Sequence, residues 1–149
     1  MRADYEIPRF EAGSLALRRS GSLVFRFAGL RRFIMERCRT RLLAFLNISR
    51  TGLSFAGLGG DGDVPGELDS LRLVNTTGCV RVVEEHRDVL VGVKIRLSDS
   101  IADEGRNEHE AYARARAAAA QVRLPLMVHH NFSTVSMEDC PGELAPGDI

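Results

Sequence analysis

Lysine is almost missing from this chain. Of its 20 basic residues one is lysine, Lys94, and the other 19 are arginine, from Arg2 to Arg123. An excess of charge of either sign is missing too. Twenty acidic residues bring the formal net charge to +0, without the basic surplus that nucleic acid attracts or an acidic, solvating tail. Cysteine is scarce: Cys38, Cys79 and Cys140 are odd in number, far apart and form no CxxC pair. That argues against a disulfide framework and for a reducing compartment. Long hydrophobic runs are lacking as well. No stretch approaches the roughly 18 apolar residues that span a membrane, and an N-terminus carrying Asp4, Glu6 and Glu11 is not a secretory signal. The chain reads as cytoplasmic, with neither nucleic acid nor membrane as partner.

What is present describes a soluble globular domain: 149 residues, 44% hydrophobic and 27% charged, enough to bury a core. The single lysine sits inside the apolar run Val89-Leu-Val-Gly-Val-Lys-Ile95. A guanidinium stays protonated, whereas a buried amine can lose its proton and become a nucleophile or base. The bland alternative is a strand-end lysine whose head snorkels to solvent.

Three segments read as strands apolar on both faces, as parallel sheets require: 42–48, 89–95 and 124–129. Helical patterns alternate with them. Phe27 to Arg39 places Leu30, Phe33, Ile34 and Cys38 at three- and four-residue spacing; Leu71 to Arg87 reads as a helix despite Gly78; Glu108 to Arg123 is rich in alanine and arginine, with Pro125 beyond its end. This alternation predicts βα units and a parallel sheet. Lys94 and His129 lie near the ends of successive strands, 35 residues apart. A barrel of eight βα units in about 250 residues averages about 31 per unit, with its chemistry at the carboxyl ends of the strands. A doubly wound sheet fits almost as well. Residues 1–22 have no clear period. The loop Gly57–Gly66 is a plain loop, since no GK[ST] follows its glycines, and Asp61 and Asp63 lack the other ligands of a calcium loop.

The runs 39–49 (RTRLLAFLNIS), 91–98 (VGVKIRLS), 124–129 (LPLMVH) and 146–149 (PGDI) together resemble the deacetylase branch of the amidohydrolase superfamily, the dihydroorotase-like metallohydrolases, from about Gly29 to Ile149. The resemblance implies an α/β fold. It would be a partial (β/α)8 TIM barrel of about three to four βα units, occupying 23–149 after the unassigned 1–22. In that family a strand lysine is carboxylated by carbon dioxide and its carbamate bridges two metals; Lys94 matches it, and His129 matches the histidine ligand of the next strand. Burial of an amine favours its neutral form, which is the form a carbamate requires. The implied cofactors are a divalent metal, zinc above all, and carbon dioxide. The implied chemistry is hydrolysis of an amide or ester of a small molecule. Met127 and His129 share strand parity, as do Gly92 and Lys94, while His130 points the other way. Asn47 reads as a structural hydrogen-bonding residue near the barrel mouth, and His86 and His109 as solvent-facing.

The chain departs from the family at the remaining ligands. It has no His-x-His pair, no histidine after Pro146–Ile149 and no residue matching the catalytic aspartate. Two ligands fall short of the three that a catalytic zinc keeps. The expectation is an internal portion of such an enzyme, with little activity alone and two open sheet edges prone to self-association or to pairing with a complementary barrel fragment. The competing readings are a non-catalytic fragment that acts by association, and a Schiff-base enzyme of aldolase type using Lys94.

Overall fold

The structure is a computed structural model and describes residues 22–53 and 65–149. Residues 1–21, and the part of the glycine-rich loop that holds Asp61 and Asp63, lie outside them. The three apolar runs form three parallel strands: β1 Ala44–Asn47, β2 Leu90–Leu97 and β3 Leu126–His130, in the order β1-β2-β3. The helices are α1 Ser22–Phe33, α2 Thr76–Glu85, α3 Glu108–Val122 and the single turn α4 Asp139–Gly142. Three βα units are thus present among the described residues.

The register fixes what each face of the sheet carries. Asn47 pairs with Lys94 and Lys94 with Met127; Arg96 pairs with His129. Paired residues of a parallel ladder point to the same side, and alternation sends their neighbours to the other. One face therefore bears Leu46, Ile48, Val93, Ile95, Leu97 and Leu126, all buried. Burying each of the larger ones contributes about 1.5–3 kcal/mol. The opposite face bears Phe45, Asn47, Lys94, Arg96 and Met127, all half-buried, and the exposed His129.

Alanine shapes the packed face. Ala111, Ala115, Ala118 and Ala119 of α3 are buried on one stripe with Tyr112 and Val122, and small side chains let α3 lie close to β2 and to α2. The α2 stripe is Gly78, Cys79, Val82 and Val83. Burial pushes the Cys79 thiol up to about 12, so it stays neutral as part of this core. Because α2 packs against both α1 and α3, the helices lie on one face and leave the other open among the described residues. A doubly wound sheet, covered on both faces, does not fit that arrangement.

The element ends differ from the sequence expectation for local reasons. Helix α2 starts at Thr76, five residues late, because Val74 bridges to Ser49 and Asn75 caps the helix, its Oδ1 accepting from Gly78 N at 3.0 Å. A Cβ on Gly78 would meet that cap amide, which is why glycine fits there. Helix α1 stops at Phe33 and is followed by one 3-10 turn, Met35–Arg37. The predicted core stripe of this helix is corrected: Leu30, Phe33, Ile34 and Cys38 are exposed, and Phe27 is the residue that packs. Helix α3 ends with Arg123 in the left-handed region (φ 55), its N–H bonded to Ala120 O and that of Leu124 to Ala119 O. The backbone of Ile149 hydrogen-bonds Leu126 O and Val128 N, so the 146–149 run lies along the outer edge of β3.

Candidate functional site

Lys94 stands in the middle of the open face. Gly92, two residues earlier on the same face, has no room for a side chain: a Cβ would meet the Phe45 ring at 2.3 Å and Pro125 O at 2.5 Å. The Phe45 ring therefore lies against β2 at Gly92, two residues before the lysine on the same face. Burial lowers the Lys94 amine from its ordinary value, partly offset by the carboxylate of Glu67, while Arg96 lowers it further. The lysine is half-buried, between the fully buried strand lysine and the solvent-snorkelling one.

Glu67 is the group that the sequence reading missed. It is completely buried, and its carboxylate is the hub of the face. Asn47 Nδ2 donates to its Oε2 at 3.0 Å, Arg96 Nη2 pairs with its Oε1 at 2.8 Å, and Ser49 Oγ donates to its carbonyl at 2.7 Å. Asn47 and Arg96 are, respectively, the register partner of Lys94 and the residue two beyond it, so Glu67 reaches both sides of the lysine. Burial raises the Glu67 carboxyl above the usual range, while Asn47, Arg96 and Lys94 act to lower it. Asn47 also accepts from Ser49 N at 2.8 Å, which bears out its structural role and adds a place beside the lysine. A signal for Arg96 was present, since Gly92, Lys94 and Arg96 follow a period of two; nothing local marked Glu67, which sits in a loop of glycine and proline.

His129 is on the same face as Lys94, one strand over and two residues further along the register. His130 faces the helices as expected, its Nε2 2.7 Å from Val135 O. His109 is exposed as expected. His86 is corrected: it is half-buried against the Phe27 ring (centroids 4.8 Å apart), with Arg31 Nη1 3.1 Å from Nδ1. It locks α1 to α2 and does not simply face solvent.

A imidazole and a lysine nitrogen that carbon dioxide can convert to an oxygen donor are suitable metal ligands in kind. In number they fall short. Among the described residues no group of three or more His, Cys, Asp or Glu could hold a metal ion. The buried carboxylate nearby is taken by Asn47 and Arg96, and a guanidinium beside it repels a cation. These residues alone do not complete a catalytic metal site.

Lys94 thus lies mid-strand in β2, three residues before its carboxyl end, while His129 lies near the carboxyl end of β3 on the same face. The chain is similar to part of a dihydroorotase. A crystal structure of a dihydroorotase matches with a TM-score of 0.72 and 25% identity, covering 87% of this chain and 32% of that one. A crystal structure of an adenine deaminase matches with a TM-score of 0.67 at 22% identity, again over 87% of this chain and 32% of that one, which speaks for the fold. The chain thus spans about a third of the length of the solved structures it matches. No protein-family model matches the chain, and no curated protein matches it significantly. The architecture is that of a partial TIM barrel.

A small hollow borders Phe45 and Asn47 of β1 and Ser49 just beyond it, and another lies away from the site residues. The latter, of about 590 Å³, opens at the amino end of β3 beside Arg116, Arg123, Pro125 and Asp148. No helix of the described residues is long and apolar enough to cross a membrane.

Proposed function

We propose that this chain is a portion of a metal-dependent amidohydrolase barrel of the dihydroorotase-like deacetylase type, whose chemistry is hydrolysis of an amide or ester of a small molecule. One observation carries the reading. The only lysine of the chain and His129 share the open face of adjacent parallel strands, in a sheet similar to one third of a dihydroorotase. A half-buried amine whose proton is loosened by burial is the side chain that carbon dioxide can carboxylate; arginine is not. Two donors are one short of a catalytic site, so no hydrolytic step is assigned to these residues alone. The remaining donors belong to a complementary part of the barrel, in the same polypeptide or another. The uncovered polar face, and the backbone of β1 that has no strand on its outer side among the described residues, support that association.

The test is spectroscopic. The purified chain is incubated with carbon-13 bicarbonate and zinc, followed by carbon NMR and metal analysis. The expected result is a carbamate resonance that disappears in Lys94→Arg, less than one tightly held zinc per chain, and negligible amide turnover. Absence of any Lys94-dependent carbamate at saturating bicarbonate removes the metal-ligand role of Lys94. Stoichiometric zinc with turnover by the chain alone overturns the incompleteness, and borohydride trapping of a carbonyl compound on Lys94 would move the chemistry to a Schiff base.

A further inference from the structure

The loop that follows β3 is clamped, yet it displays two large apolar side chains. Its anchors are numerous. Asn131 N bonds Leu97 O, Asp99 N bonds Phe132 O, and both the N–H and Oγ1 of Thr134 donate to the buried carboxylate of Glu108 at 2.6 and 2.7 Å. His130 Nε2 lies against Val135 O, and Val135 itself is buried. Gly105 (φ +84) leaves the space into which Thr134 fits, since a Cβ there would stand 2.3 Å from Thr134 Cγ2. A loop held by so many bonds has no reason of its own to expose hydrophobic surface. Even so, Phe132 is 81% exposed and Met137 is 64% exposed. Phe132 further adopts φ +48, a left-handed conformation that is an outlier for a bulky residue. Such strain persists only where surrounding bonds impose it, and it gathers at ligand-contacting positions.

The place of this patch completes the argument. Phe132 comes three residues after His129, and its carbonyl is bonded across to the chain that leaves β2, so it sits at the carboxyl ends of both strands. That end is where barrel enzymes hold their substrates. An aromatic ring carried there on a backbone already held in place suits a planar ring, which stacks on it without any ordering of the loop. We propose that Phe132, with Met137 exposed in the same loop, is a specificity-determining contact for a flat, unsaturated ring on the small molecule this site takes. The inference takes the location of the site from the function proposed above, but it needs neither the carbamate nor a metal.

Adenine serves as the planar probe and dihydrouracil as the saturated control, titrated into the full chain labelled at phenylalanine and methionine for protein-observed NMR. Adenine is expected to shift the Phe132 and Met137 resonances. Phe132→Ala and Phe132→Leu are each expected to weaken it at least about fivefold, because leucine keeps the apolar area and loses the ring, while Phe132→Tyr stays within about twofold. Dihydrouracil is expected to show no dependence on residue 132. Failure of the wild-type chain to bind adenine, or equal binding by Phe132→Leu, overturns the proposal. The Lys94→Arg chain separates the two readings: ring-dependent adenine binding that survives there stands even if no carbamate forms on Lys94.

Discussion

The hub at Glu67 makes a sharp prediction about stability. In Arg96→Met the apolar stem is kept and the guanidinium is lost. Glu67 is 0% exposed and the Arg96 side chain 15%, so the carboxylate left behind cannot turn to water. Stranding one partner of a buried pair costs about 3–5 kcal/mol. Glu67→Gln keeps an oxygen acceptor for Asn47 and Arg96 and loses the opposite charge, so about 1–3 kcal/mol is expected. In the double variant no charge is stranded, and the cycle should show a coupling of about 2 kcal/mol or more between the two positions. Urea unfolding followed by circular dichroism measures all four chains. The pH dependence has a definite sign. Burial raises the Glu67 carboxyl above its unfolded value, so in that range the folded chain holds a proton the unfolded chain has lost. Stability from this group is therefore full at acid pH and declines as pH rises through the folded value. Removing Arg96 takes away one influence that holds the carboxyl down, so the Arg96→Met penalty should be larger around pH 8 than around pH 5. A penalty under about 1 kcal/mol, or one that is the same with Gln at position 67, would refute the view that this pair organises the face.

Three further substitutions probe the frame. Arg123→Gly should stabilise the chain by about 0.5–1 kcal/mol in the same urea assay, since glycine adopts the left-handed end of α3 without a Cβ clash. Asn75→Ala should cost about 1 kcal/mol and lower the helical signal, because α2 loses the side chain that caps Gly78 N. Gly92→Ala should cost about 1–3 kcal/mol and shift the Phe45 ring resonances, since the new methyl meets both that ring and the Pro125 carbonyl.

The strands were legible because burial against the helices demands an apolar residue at every second position, and Phe45 and Met127 extend the runs on the other face. Helix α3 was legible because alanine both favours helix and permits close packing. Strand parity gave a direction for Lys94 and for His129 separately; the register that pairs Lys94 with Met127 puts the two on one face. Reading failed where a residue's role depends on what the chain brings near it from elsewhere. Glu67 lies 27 residues before Lys94 in a segment whose glycines and proline speak only of turns. Its meaning arises when that segment folds back over the sheet. The apolar stripe of α1 misled for the opposite reason: periodicity reports a face, but not whether anything covers it.

The loops at the carboxyl ends of the strands are not independent of one another. Asp69 in the β1–α2 loop accepts from Asp103 N, Asn107 donates to the Leu68 and Asp69 carbonyls, and Glu108 receives Thr134 from the loop after β3. Swapping a single one of these loops for a foreign segment would sever bonds that hold its neighbours. Laboratory redesign of this mouth should therefore exchange the three segments as one cassette, and natural divergence here is constrained to move in concerted steps.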